Sequence, residues 1–222
     1  GWTVERTHNV SAVIRGMAEW FGKLRLGLGP TKAIQTITGV TTSGATLADT
    51  QVSGADTNGS EMRVINDRLW WVRANDSTDD NKLRFTQDDF TSQSTGFRVG
   101  DKGVPSTAIG VVNGTPVLGT QTGPMGYTDD GSTFPIGSAL KDAKSPNNGR
   151  QFADAFGVTY MISNLTLYAI FGTTMQPVGI GGPGYHGFDG FDGIPVAIRA
   201  WRETLLVAYE DSAGTTWRIF EA

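Results

Sequence analysis

One pattern returns five times along this chain: a short apolar run, a tight polar turn, and a second apolar run. The first runs are Ala12-Val13-Ile14, Arg63-Val64-Ile65, Ile109-Gly110-Val111-Val112, Thr159-Tyr160-Met161-Ile162 and Val196-Ala197-Ile198. Their partners are Leu24-Arg25-Leu26, Leu69-Trp70-Trp71-Val72, Pro116-Val117-Leu118, Leu165-Thr166-Leu167-Tyr168-Ala169 and Leu205-Leu206-Val207-Ala208. The links are Arg15-Gly16, Asn66-Asp67, Asn113-Gly114, Ser163-Asn164 and the longer, less regular Arg199-Ala200-Trp201-Arg202-Glu203. Asn-Gly and its relatives accept the positive φ that a two-residue hairpin demands.

The last residues of the first runs fall at 14, 65, 112, 162 and 198, giving intervals of 51, 47, 50 and 36. The wrap from 198 through the end to 14 is 38 residues, close to one more repeat. Units of about 40 to 50 residues with several strands each point to a propeller rather than a sandwich. The fold expected is therefore all-β, one domain over residues 1–222, with five blades of four antiparallel strands. The blades fall near 9–56, 61–106, 107–155, 156–193 and 194–222 plus 1–8. Residues 1–8 supply a closing strand beside Thr216–Phe220, which would remove an exposed sheet edge. A six-bladed ring and an irregular sandwich are the alternatives. Ser138–Asp142 and Gly149–Phe156 alone read as weakly helical or as short turns.

Composition narrows the function. A net charge of −4 with no basic stripe speaks against a phosphate-backbone partner. No apolar run approaches the roughly 20 residues that span a bilayer, so no membrane insertion is expected. With no Cys and two His, thiolate sites and a His-rich zinc site are excluded. No cofactor or metal is expected.

A third recurrence lies toward the blade edges: Phe85–Thr91, Tyr127-Thr128-Asp129-Asp130-Gly131-Ser132-Thr133-Phe134, and Ser212-Ala213-Gly214-Thr215-Thr216-Trp217. The second of these resembles the Asp-box, or bacterial neuraminidase repeat, Ser-x-Asp-x-Gly-x-Thr-Trp. Asp129, Gly131, Thr133 and Phe134 match in register, and Gly214, Thr216 and Trp217 match in the third. The resemblance implies a structural hairpin in which Asp and Thr tie the turn and the aromatic packs between strands. Proteins with such boxes include sialidases, sugar-binding propellers and non-enzymatic structural propellers. Gly193-Ile194-Pro195 carries Gly where the sialidase motif has its arginine, and the chain is short for such an enzyme.

Candidate binding residues lie in loops. Tyr185, His186, Asp189 and Asp192 stand in a Gly-rich stretch whose two carboxylates and His could hold a divalent cation or whose aromatics could face a sugar, with a blade-edge turn as the plainer reading. Arg199 and Trp201 stand in the longest inner link, and Trp and Arg are over-represented among residues that carry binding energy. Trp70 and Trp71, being adjacent, are expected on opposite faces of one sheet. Asn75–Asn81 lacks the Gly and terminal Glu of a calcium loop. The paired carboxylates 79–80, 88–89 and 129–130 recur, which favours turn structure over catalysis. The function expected is a non-enzymatic structural or attachment module in a virion or extracellular setting, with other proteins of an assembly or a surface glycan as partner. A soluble lectin is the alternative, and a glycoside hydrolase the second.

Overall fold

The computed structural model describes residues 12–38, 48–52, 57–73, 82–91, 96–100, 103–104, 106–120, 123–128, 131–137, 151–163, 166–178, 194–202, 204–211 and 214–221. Within them the chain is all-β, and no helix occurs. Five antiparallel sheets follow one another along the sequence. The first holds β1 (Gly16–Trp20), β2 (Lys23–Gly27), β4 (Gln35–Thr38) and β5 (Ala48–Gln51), with β3 (Gly29–Ala33) paired separately to β6 (Asn58–Gly59). The second holds β7 (Glu61–Ile65), β8 (Arg68–Val72), β9 (Lys82–Thr86) and β10 (Phe97–Arg98). The third holds β11 (Ser106–Val112), β12 (Thr115–Thr120), β13 (Met125–Tyr127) and β14 (Thr133–Pro135). The fourth holds β15 (Phe152–Ala155), β16 (Val158–Ser163), β17 (Thr166–Phe171) and β18 (Thr174–Pro177). The fifth has three strands among the described residues: β19 (Ile194–Trp201), β20 (Thr204–Asp211) and β21 (Gly214–Glu221).

Every sheet opens with a two-residue hairpin, and the left-handed backbone explains which residues sit there. The first hairpin positions are Phe21, Asn66, Asn113, Phe156 and Arg202, all with φ between 49° and 54°. This geometry matches the twist of the flanking strands. Three expectations are corrected by it. In the first unit Arg15-Gly16 is not the turn: Gly16 opens β1, and Phe21-Gly22 makes the reversal. In the fourth, Thr159–Ile162 lies in the second strand and Thr166–Ala169 in the third, and the stretch read as helical ends in β15, with Phe156-Gly157 as the turn. In the fifth, Arg199–Trp201 continue β19, whose last pair is Trp201 with Thr204, so the long link is a tight hairpin too. All three differences arise because Asn, Ser and Gly read as the turn signal, whereas Phe21-Gly22, Phe156-Gly157 and Arg202 take the left-handed conformation. With the strands placed correctly, the first strands end at 20, 65, 112, 155 and 201, intervals of 45, 47, 43 and 46. The rhythm is more even than the sequence runs implied.

The apolar core is distributed over the junctions between consecutive sheets. Trp20, Ile34, Met62, Leu69 and Trp71 join the first sheet and the chain beside it to the second. Trp70, Leu83 and Val99 join the second to Ile109, Leu118 and Tyr127 of the third. Ala108, Val112, Val117 and Ile136 meet Phe152, Met161, Ile170 and Met175, and Ala153, Ala155, Ile162 and Leu167 meet Ile198, Leu205 and Val207. Trp70 and Trp71 thus serve opposite faces of one sheet, as period-two alternation requires. A further cluster, Leu26, Leu28 and Ile37, covers the other face of the first sheet.

Two junctions carry special contacts. At the first, the buried Arg25 of β2 donates to Thr36 Oγ1 and to Asp89, and Lys23 also pairs with Asp89. The Arg25 guanidinium lies 5.3 Å from the Phe90 ring, which in turn sits 5.4 Å from Trp71 and 6.3 Å from Trp20. Burial lowers the pKa of Arg25, and the Asp89 carboxylate opposes that shift. Between the third and fourth sheets the Phe152 ring covers Gly110 so closely that a Cβ there would stand 2.6 Å from it.

Candidate functional site

A cavity of about 390 Å³ lies where the first, second and fifth sheets approach one another. Its wall is made by Ile14, Arg15, Gly16 and Met17, by Glu61, Met62 and Arg63 of β7, and by Arg199 of β19. Strand register explains the last two arginines. Arg63 precedes its hairpin at Asn66 by three residues, as Arg199 precedes Arg202, while Ala18, Gly110 and Ala153 hold the equivalent places in the other sheets. Ala18, Gly110 and Ala153 do not line the cavity, and the space beside Gly110 is taken by the Phe152 ring.

Arg63 is held from the far side. Its Nη2 donates to the Phe152 carbonyl at 3.2 Å and its Nη1 lies 3.4 Å from Asp154 Oδ2. Asp154 is fixed in turn by Thr159, whose hydroxyl lies 2.9 Å from Asp154 Oδ1 and also donates to the Val111 carbonyl. Arg199 is exposed and donates to the Ile198 carbonyl at 2.8 Å. Glu61 is buried on the cavity wall, 8% exposed. Among the described lining residues three are arginines, Arg15, Arg63 and Arg199, and one, Glu61, is a carboxylate, while the Arg63 guanidinium is paired with Asp154. The chemistry on offer is recognition of negative charge by planar, fork-shaped donors.

Of the residues singled out in the sequence, Arg199 lines this cavity. Trp201 does not: it ends β19, is 60% exposed, and stacks under Arg202 at 4.8 Å. Tyr185, His186, Asp189 and Asp192 lie outside the described residues, as do Asp129, Asn75–Asn81 and residues 1–8. Sequence reasoning missed Arg15, Glu61 and Arg63. The signal that finds Arg63 is its equivalence to Arg199, which emerges only when the units are aligned on their true hairpins.

The described residues of the box-like segments make local turn and packing contacts. After β13, Gly131 has φ 89° and its N–H donates to the Thr128 carbonyl at 2.9 Å, while Thr128 N–H reaches Ser132 O at 3.0 Å. Thr133 is exposed on β14, and the neighbouring Phe134 packs across Gly126, where a Cβ would meet the ring at 2.3 Å. Phe85–Thr91 holds the matching place after β9, with Thr86 Oγ1 donating to Asp88 Oδ1 at 3.1 Å. The last segment differs: Gly214 opens β21, and Thr216 and Trp217 pair with Tyr209 and Ala208, so it joins the second and third strands of its sheet, not the third and fourth. Among the described residues no group of three or more His, Asp or Glu side chains is placed to hold a metal ion.

No family model matches the chain, and no curated protein matches it in sequence. Solved structures do. The chain is similar to the extracellular domain of a one-component system of B. thetaiotaomicron, at 13% identity and TM-score 0.60 over 96% of this chain and 28% of that one. It is similar to an exported protein of Bacteroides fragilis, at 10% identity and TM-score 0.64 over 97% and 71%. A third likeness is to PorZ, a bacterial surface component of the type-IX secretion system of Porphyromonas gingivalis, at 10% identity and TM-score 0.59 over 94% and 26%. At these identities the likeness is one of fold, and the chain spans less than a third of the first and the last of these proteins.

Proposed function

We propose that this chain is a five-bladed β-propeller that serves as an extracellular, non-catalytic binding module and takes its ligand in the cavity between the first, second and fifth sheets. The observation that carries the reading is that Arg199, from the last sheet, and Arg15–Met17, from the first, line one cavity. A first and a last sheet that meet around a common space are what a ring of blades requires. The even spacing of the five hairpins, the four successive junction cores and the Arg63–Asp154 link between non-consecutive sheets support the same arrangement. On this reading the box-like turns are structural, as the neuraminidase-repeat resemblance implies, and residues 1–8 close the ring beside β21.

The extracellular setting draws on the similar solved structures, which are extracellular, exported or surface components of bacteria. A virion setting draws on composition alone. The partner is another protein of an assembly or a surface glycan. Hydrolysis is disfavoured because the described lining offers one carboxylate, Glu61, where a glycosidase needs a converging pair.

A saturation-transfer NMR screen of soluble glycans and envelope-derived fragments tests the reading. Binders found with the parent chain should be lost in Met17→Trp, which fills the cavity mouth from an exposed strand position. They should also be recovered chemically unchanged after prolonged incubation. Binding indifferent to Met17→Trp, or turnover of a bound compound, would overturn it.

A further inference from the structure

Resting on the five-blade ring proposed above, we infer that two copies of this chain pair through the end that carries the first hairpins. An aromatic tip of each copy enters a socket on the other. Cross-sheet contacts bring these hairpins to one end. Asn66 Nδ2 donates to the Gly114 carbonyl at 2.9 Å. Lys23, beside the first hairpin, pairs with Asp89 in the loop after β9, which alternation of strands places at the same end as Asn66. Thr159, just past the fourth hairpin, donates to the carbonyl of Val111, just before the third. Arg199 and Met17, three and four residues before their own hairpins, line one cavity.

Four aromatic side chains stand out from this end: Phe21, Phe156, Trp201, and Phe171 at the turn into β18, each between 44% and 60% exposed. They belong to the fourth, fifth and first sheets, which are consecutive around a ring. Phe21 and Phe156 also hold φ of 52° and 54°, where Asn or Gly fits with less strain. Neither full burial nor backbone ease accounts for a phenylalanine there, and strain kept without local return points to a contact outside the chain.

The other half of the same end carries a hole. A cavity of about 200 Å³ lies at the second and third hairpins, lined by Asn66 and Gly114 and walled by Ile65, Trp70, Pro116 and Tyr127. An apolar cavity of about 150 Å³ holds a benzene ring, so this one has room for a single aromatic side chain. The Trp70 indole N–H is already given to the Ile65 carbonyl at 3.2 Å, so its ring meets an entrant as apolar surface. In a five-blade ring the junction of the second and third blades lies opposite the fifth, which bears Trp201. A two-fold axis across the middle of the face sets each Trp201 over the other copy's socket, the self-complementary arrangement of an isologous pair. Charge permits it. Among the described residues in and directly flanking these turns, Lys23, Arg68 and Arg202 are matched by Asp67, Asp88 and Asp89, so the face does not repel its copy. With aromatic side chains of about 150–250 Å² each, half-exposed, the four tips offer about 400 Å² per copy, half of the roughly 800 Å² that one side of a standard interface buries. Interfaces of that size are weak, and a Kd on the order of 10–100 µM is expected.

Sedimentation velocity of the whole chain, from about 1 to about 300 µM, reads the pairing. The parent is expected to pass from monomer to dimer across this range. Trp201→Ala, which removes the tip, and Thr115→Trp, which fills the socket, should each weaken pairing about tenfold, the scale of a central interface aromatic. Mixed together, the two variants should pair better than either does alone, because the tip of one meets the open socket of the other. Trp201 is exposed, so its loss leaves the fold intact and decides the matter if Thr115→Trp misfolds. Val13→Ser, at an exposed apolar residue of the opposite end, should leave the Kd unchanged. A chain that stays monomeric at the highest concentration, a dimer indifferent to Trp201→Ala, or an equal loss in Val13→Ser overturns the inference. Small-angle scattering of the dilute chain keeps the two readings apart. A closed disc that does not pair leaves the ring standing and removes the interface, whereas an elongated open arc removes the ring and with it the opposition of tip and socket.

Discussion

The first and second sheets are joined by a charged clamp, the third and fourth by an aromatic ring laid on a glycine. In the clamp, Arg25 is 3% exposed at its side chain and depends on Asp89, itself 28% exposed, for its balancing charge. A buried pair of this kind contributes little net stability, because removing two ions from water costs nearly what their attraction returns. Its energetic signature is asymmetry: losing one partner is expensive, losing both is cheap. The Phe152–Gly110 contact has the opposite character. It involves no desolvated charge, and its contribution comes from close packing that tolerates no added atom. One junction thus specifies which loop faces which strand, and the other specifies how closely two sheets approach.

The largest effect that separates the two belongs to Asp89→Ala. Stranding Arg25 should cost close to the lower end of the about 3–5 kcal/mol typical of broken buried pairs, since Asp89 is partly solvated. Urea unfolding measures it. The double variant Arg25→Met/Asp89→Leu should recover most of that loss, and a double variant as unstable as the single one would show that the clamp is net stabilising after all. Next in size is Gly110→Ala, which forces a methyl into the Phe152 ring and should cost about 1–3 kcal/mol. A neutral outcome would mean that the third and fourth sheets separate easily, and the contrast between the junctions would vanish. The smallest effect is expected from Thr159→Val, which keeps the side-chain shape but removes the hydroxyl that serves the Val111 carbonyl and Asp154. About 1 kcal/mol is the scale of one such hydrogen bond. A much larger loss would show that the Thr159–Val111 link, and not the Phe152–Gly110 packing, dominates this junction.

The all-β class, the five-fold recurrence and the opposite-facing Trp70 and Trp71 were legible from apolar runs and turn residues. Two of the five hairpins, at Asn66 and Asn113, announced themselves because Asn is at ease in the left-handed region. Phe21, Phe156 and Arg202 adopt the same conformation at greater intrinsic cost, so local propensity pointed elsewhere and tertiary packing decided. The clamp was half visible: Phe85–Thr91 was recognised as a recurring turn, but nothing local says that Asp89 answers an arginine 64 residues earlier. The cavity was the least legible, since it depends on equivalence among strands whose register was misread in three units. Arg199 was singled out because it stood in the link read as longest and because Arg is over-represented among residues that carry binding energy.

The composition of the cavity wall also bears on the order in which the molecule assembles. Each sheet is drawn from a contiguous stretch of chain, so its hairpins close short loops and can form early, with little entropy lost per contact. Arg15 and Arg199 meet across nearly the whole sequence. Their side of the cavity exists only once the earliest and latest sheets have docked, which makes it the last feature to mature. A ligand that reports on this cavity is therefore a kinetic probe: binding competence should lag behind the appearance of β structure during refolding, and the lag measures how long the two ends take to find each other.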